Sequence, residues 1–437
     1  MGTGELILWP YLSSNWGLGI IWGALLGISM QFFLNMEIER YTLANGESVF
    51  VGFARFAKRL PYWFVASSVI AWSWPAFSSA SAAALKPFHL FGMTDTSGIA
   101  MAMLLLVGII LTLGPVLYKT VETFQRILIS IGIPIVVFIA LRVVRIEHVI
   151  ALGKGLVGIG NGYSFFPADA AFPFMSFLAA LAYSGAGGNL LLAQSFYVKE
   201  KGYAMGKYAG RITSLITGKT EPNSILGTTY TPSNEENKKF TTWWHMANVE
   251  HGVVFWGLGL STMLLLALIA YASTYGNPAN VTGINFIYTQ AEYISQKVGP
   301  MFASLMLIVT SLMLFATQLT VIDAAGRIIT ENIVLIRKND ASSKDISRTY
   351  YLSIWTLIAF GIAMFLFGVK EPQFLIVTGA VINAVCMFVF AGLLIPMNKK
   401  LLPQPAQPAV WRQVIVWSIF VVLGLFTFLV IGDNFLK

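Results

Sequence analysis

Ten apolar stretches recur along the chain, at residues 17–38, 61–85, 98–117, 123–143, 172–198, 251–273, 299–325, 349–369, 373–396 and 411–433. Each reaches the roughly 20 residues that a helix needs to cross a hydrocarbon core. In lipid only helices and closed barrels satisfy every backbone polar group, so the pattern predicts an all-α integral membrane protein. An eleventh stretch, residues 6–11, is too short to span and reads as the second half of a helix whose first half is missing. About 11 transmembrane segments are therefore expected, the first one truncated.

The composition excludes other classes. Charged residues are 11% of the chain and hydrophobic ones 56%, whereas a soluble domain carries about 25% charged residues, so a soluble enzyme is excluded. The aromatic residues, 14% of the chain, suit lipid-facing sides and interfacial belts. The lone cysteine, Cys386, lies inside an apolar stretch, so neither a disulfide framework nor a zinc site of cysteines is available, and no cofactor is implied. The net charge of +8 resides in the loops, with no basic stripe interleaved with aromatics, so the expected partner is the bilayer and not nucleic acid.

Orientation follows from the basic residues. Loops and flanking turns after the stretches ending near 38, 117, 198, 325 and 396 hold 21 of the 28 Lys and Arg residues. The positive-inside rule places that set in the cytoplasm. The one sizeable polar insert, residues 199–248, is then a cytoplasmic loop without hydrophobic periodicity. No basic leader precedes the first stretch, so no cleavable signal peptide is expected.

Two distant segments share a pattern. Gly2-Thr3-Gly4-Glu5-Leu6 stands at the start, and Gly185-Ala186-Gly187-Gly188-Asn189-Leu190 in the fifth long stretch. In both, clustered glycines meet a polar residue and then an apolar run. Glycine costs a helix about 1 kcal/mol relative to alanine, so three glycines in the four residues 185–188 should unwind it. Unwound backbone at membrane depth is tolerated only in protein or along a wet cavity, which is how discontinuous helices build solute sites in transporters with inverted repeats. If the stub is helix one, the glycine-rich segment is helix six. The breaks then hold equivalent places in two five-helix halves, residues 1–145 and 170–396, followed by an extra helix at 411–433, all in one transmembrane domain. Tight packing of small residues is the alternative explanation for the glycines.

Ionisable residues inside a membrane are costly and mark function. Glu5, at the first break, is a candidate ligand for a hard cation or a proton carrier, and equally a cap of the adjoining half-helix. Asn189 is its counterpart at the second break, as ligand or as cap. Gln318 and Asn383 are candidates for a supporting shell. Glu37 and Asp323, the latter four residues before Arg327, read as gate contacts or structural pairs. Glu250-His251 reads as a proton relay or an interfacial pair, since histidine titrates near neutrality.

With the helix order, the stub Gly-Thr-Gly-Glu-Leu, the break before Asn189-Leu190 and the run Ala316-Thr317-Gln318-Leu319-Thr320-Val321-Ile322-Asp323-Ala324, the chain resembles a divergent member of the natural resistance-associated macrophage protein (NRAMP) family of divalent metal transporters. The resemblance implies the LeuT-type five-plus-five fold with helices one and six discontinuous. By position, that family's Asp-Pro-Gly-Asn becomes Gly2-Thr3-Gly4-Glu5, and its Met-Pro-His-Asn becomes Ala186-Gly187-Gly188-Asn189. The thioether that favours transition metals is thus replaced by Ala186. The family's acidic residues on helix three are absent, and its helix-ten glutamine stands as Ala380 or a neighbour. The resemblance also implies that helix one begins upstream of Met1.

The expected function is secondary transport of a divalent cation by alternating access, in a prokaryotic plasma membrane, with a proton as a candidate coupling ion. Gly2, Thr3, Glu5, Gly185, Ala186 and Asn189 form the expected cation site and no residue is expected to be catalytic. Transport of a small organic solute such as an amino acid, and a non-transporting membrane role, are the competing readings.

Overall fold

The computed structural model describes residues 4–89, 95–113, 117–169, 171–208, 225–278, 280, 283–337 and 343–435. Among them every regular element is helical, apart from one isolated bridge between Ile159 and Ser164. In chain order the helices are α1 (residues 4–16), α2 (Leu18–Asn45), α3 (Val49–Phe56), α4 (Leu60–Trp72), α5 (Ala76–Leu85) and α6 (Ser97–Leu113). They continue with α7 (Leu117–Val143), α8 (Ile146–Gly155), α9 (Phe174–Ala182), α10 (Leu190–Lys201) and α11 (Asn234–Thr274). The last are α12 (Phe286–Lys297), α13 (Pro300–Ile336), α14 (Ser343–Leu366), α15 (Pro372–Leu401) and α16 (Val410–Phe435).

Seven of these helices are long and apolar enough to cross a bilayer unaided. The chain is a polytopic integral membrane protein. The other helical segments fall short because they are broken or brief: the described part of α1 runs over residues 4–16, α4 with α5 and α9 with α10 are two-part segments, and α6 has 17 residues. Lipid-facing positions are correspondingly apolar, as on α16, where Val414, Val421, Leu425 and Phe428 are exposed.

The segment order reproduces the five-plus-five arrangement. α1, α2, α4/α5, α6 and α7 make one half, and α9/α10, α11, α13, α14 and α15 the other, with α16 added. Short α3 joins the second and third segments of the first half, and α12 joins the corresponding two of the second half.

Three boundaries differ from the sequence expectation. The stretch 61–85 is broken: α4 stops at Trp72 and α5 starts at Ala76, because Pro75 offers no N–H and disfavours helix in the residue before it. The end of the 199–248 insert is helical, since α11 begins at Asn234, capped by the Ser233 side chain. At 41 residues α11 is about 60 Å long, twice the hydrocarbon thickness, so its first turns project beyond the bilayer. α13, with 37 residues, overhangs likewise. The charges in α11's first half made its periodicity invisible as an apolar run.

Candidate functional site

The second break runs from Tyr183 to Asn189, between α9 and α10. Gly187 and Gly188 lie at φ +70° and +51°, left-handed conformations that glycine adopts without penalty. Close approach adds a second constraint at Gly188, where a Cβ would stand 1.7 Å from Asn383 Oδ1. At Gly4, which opens the described part of α1, a Cβ would stand 1.9 Å from the Tyr183 carbonyl oxygen. The start of the described part of α1 therefore meets the second break at Tyr183. Gly2 and Thr3 lie outside the described residues.

The backbone freed by the break is held by a residue that was not among the sequence candidates. Gln31, fully buried on α2, donates from Nε2 to the Ala182 carbonyl at 2.9 Å and accepts at Oε1 from the Gly187 N–H at 3.3 Å. A glutamine in the middle of an apolar stretch was the available signal, because a buried amide needs partners.

Asn189 does not cap α10. Its Nδ2 donates to Ser67 Oγ at 2.8 Å and Ser68 Oγ at 2.9 Å on α4, and no side-chain cap bond is made. Its Oδ1 is buried without a hydrogen-bond donor. Asn383 on α15 behaves alike: Nδ2 donates to Tyr183 Oη at 3.1 Å and to the Gly379 carbonyl at 2.8 Å, while Oδ1 is buried without a donor. Both asparagines are fully enclosed. Two orphan acceptor oxygens flank the break, and such groups ordinarily find a partner or face an ion or water.

Glu5 is buried in the π-helical turn Gly4–Leu8, packed against α9 and α11. Its Oε1 faces Gly259 of α11, 3.8 Å from where a Cβ would sit there. Gly185 is half-buried and Ala186 exposed, so the break opens on one side. Among the described residues no three His, Cys, Asp or Glu side chains cluster as a metal cage. Any cation here would rely on one carboxylate with amide and carbonyl oxygens.

The remaining candidates lie elsewhere. Gln318 on α13 accepts from the Ser78 N–H at 3.1 Å, tying the third break at the start of α5 to α13. Glu37 is locked by Arg40 at 2.7 Å and Arg412 at 3.4 Å, both guanidiniums lying over Trp244. Asp323 holds Arg327 at 2.9 Å and accepts from Tyr350 Oη at 2.7 Å, and Arg327 reaches Glu200 of α10. The Glu250–His251 relay is not formed as a pair: Glu250 binds Lys201 at 2.9 Å and accepts from Tyr203 at 2.7 Å. Consecutive helical residues diverge by about 100°, so His251 points instead to Glu39, with Nδ1 3.3 Å from Oε1. Outside the spanning helices, burial pushes the Glu47 carboxyl above its ordinary range, while Tyr41, the Gly227 N–H and Arg55 draw it back.

No family model matches the sequence, and no curated protein does. Solved structures match it end to end. A variant of the Eremococcus coleocola manganese transporter aligns with a TM-score of 0.67 at 14% identity, covering 99% of this chain and 84% of that one. The same transporter in complex with an aromatic bis-isothiourea substituted compound gives a TM-score of 0.66 at 13% identity over the same shares. The protein thus has the fold of these manganese transporters, the LeuT-type architecture with discontinuous helices that the NRAMP resemblance implied.

Proposed function

We propose that the protein is a secondary transporter that carries a divalent metal cation by alternating access, with the cation held where the two breaks meet. The observation that carries this reading is the pair of enclosed, donorless amide oxygens of Asn189 and Asn383 beside the second break, with the buried Glu5 carboxylate at the first. Carboxylate and carbonyl oxygens are the ligands of hard divalent cations. The fold supports the reading, because the matched structures are described as manganese transporters. Gly185 and Ala186 line the open side of the break and supply backbone oxygens; Gly2 and Thr3 complete the set by position.

The donor set also sets the preference. With Ala186 where a thioether would favour softer metals, the site suits a hard cation that keeps some of its water, such as magnesium or manganese. Glu37 and Asp323 act as contacts that fasten the basic-rich, cytoplasmic side. The two halves, 1–145 and 170–396, move against each other, in the plasma membrane of a prokaryote.

Uptake of manganese, magnesium and calcium into proteoliposomes, with and without Glu5→Ala, tests the proposal. Cation uptake that the substitution abolishes is expected. A folded wild-type protein that moves none of the three cations refutes it.

A further inference from the structure

The short helix α8 begins three residues after α7 ends, on the side opposite the basic-rich loops. The helical period sorts its residues onto three faces. Leu152 and Gly155 face the protein, and a Cβ on Gly155 would stand 2.1 Å from the Leu18 carbonyl oxygen. Ile146, Val149 and Ile150, at i, i+3 and i+4, are 74%, 46% and 55% exposed, an apolar stripe left outside the fold. Where a spanning helix has just left the bilayer, such a stripe lies in the interfacial layer of the lipid.

The third face is polar and concave. Glu147, Ala151 and Lys154, at i, i+4 and i+7, line a cavity of about 530 Å³ together with Asn161 and Tyr271. Tyr271 stands three residues before the end of α11, so the cavity lies at the level where the spanning helices emerge. Its volume is that of a small-molecule site.

The charges of this cavity do not cancel. Glu147 is offset by Arg145, 3.6 Å away. His148 accepts the Arg145 N–H at Nδ1, 3.2 Å, so its ring is neutral and is used in capping α8. Lys154 lies seven residues from Glu147, about 10 Å along the axis, and has no acidic partner among the described residues. One positive charge is left. Beside it, Tyr271 Oη accepts from Asn161 Nδ2 at 3.4 Å, which leaves the tyrosine proton free to donate.

We propose that this cavity holds the headgroup of an anionic phospholipid, with Lys154 on the phosphate, Tyr271 and Asn161 on its hydroxyl and ester oxygens, and the acyl chains along the α8 stripe. Lysine binds phosphate as a point charge, and the single uncompensated charge matches a phosphodiester. A soluble phosphate ester could use the same polar groups, but it gains nothing from Ile146, Val149 and Ile150. The apolar stripe bordering the cavity therefore favours the lipid.

The test adds phosphatidylglycerol, or phosphatidylcholine with the same acyl chains, to delipidated full-length chain in detergent, and counts retained lipids by native mass spectrometry. The wild type is expected to prefer phosphatidylglycerol at least fivefold, about the worth of one lysine at an anionic surface. Lys154→Gln is expected to lose that preference while keeping the wild-type melting midpoint, because the side chain is exposed. Lys297→Gln, an exposed lysine at the end of α12, should keep it. Ala151→Phe fills the cavity without changing charge and should lose the same binding event. A wild type without preference, or a preference that survives in Lys154→Gln, overturns the proposal. Glycerol 3-phosphate, which lacks the acyl chains, is added in competition. Displacement of the lipid by an equal concentration of it assigns the cavity to a soluble phosphate and overturns the lipid reading. No transported cation is present in these measurements, so their outcome is separate from that of the transport reading.

Discussion

Replacing Gln31 by leucine keeps the side-chain volume of α2 and removes both bonds that fasten the second break. The Ala182 carbonyl and the Gly187 N–H would lose their partner in an enclosed place. A buried backbone group left unpaired costs about 1–3 kcal/mol, so the two together cost about 3 kcal/mol at the lower half of that range. At about 1.4 kcal/mol per tenfold, the ordered break loses about a hundredfold in population against unfastened alternatives. Because Asn189 and Asn383 are positioned through that break, the KM for manganese uptake is expected to rise at least tenfold. Gln31→Glu, which keeps the acceptor for the Gly187 N–H, should fall between. The assay is concentration-dependent uptake into proteoliposomes, with a thermal melt followed by size exclusion in parallel. A leucine variant with both the wild-type KM and the wild-type melting midpoint refutes the argument that Gln31 holds the site.

Gly188→Ala places a methyl group 1.7 Å from Asn383 Oδ1 at a left-handed φ of 51° and is expected to abolish uptake; adding Asn383→Gly removes the collision, whose remaining contact in an alanine would be Asn383 Cβ at 2.8 Å, but not the backbone strain, so the double variant should recover folding, read by monodisperse elution, better than it recovers transport. Ser67→Ala with Ser68→Ala removes both acceptors of the buried Asn189 amide, so uptake should show a raised KM together with an earlier melt, which a calorimetric or fluorescence melt checks. Asp323→Asn leaves Arg327 with Glu200 alone in an enclosed site; breaking a buried ion pair costs about 3–5 kcal/mol, so the purified protein should melt markedly earlier, and an unchanged melt would remove Asp323 from the fastening network.

Much of this architecture was written in local patterns. The glycines at 185–188 foretold a break because their cost in a helix is intrinsic, and the structure places it there. The Asp323–Arg327 pair followed from i, i+4 spacing within one helix. The roles that went astray all depend on partners from other helices. The cap alternative for Asn189 rested on the apolar half-helix beside it, which is visible in the sequence, whereas its side-chain partners, Ser67 and Ser68, are more than a hundred residues away. His251 read as Glu250's partner by adjacency, and the helix turned it toward Glu39. The third break was hidden inside one apolar stretch, although Pro75 signalled it. The longest misjudged boundary, at the start of α11, lies where a helix leaves the membrane and its residues need no longer be apolar.

The sequence by itself determined that this chain lives in a bilayer and where the helix at residues 185–188 cannot stay wound. Hydrophobic length and glycine's conformational freedom are properties of contiguous residues, and they act before any tertiary contact forms. Only the tertiary structure decided which side chains fasten the breaks, which oxygens are left without donors, and which acid faces the buried histidine. Those are relations between helices distant in sequence, and in a membrane interior each unpaired polar group costs too much to be left to chance, so packing selects its partner.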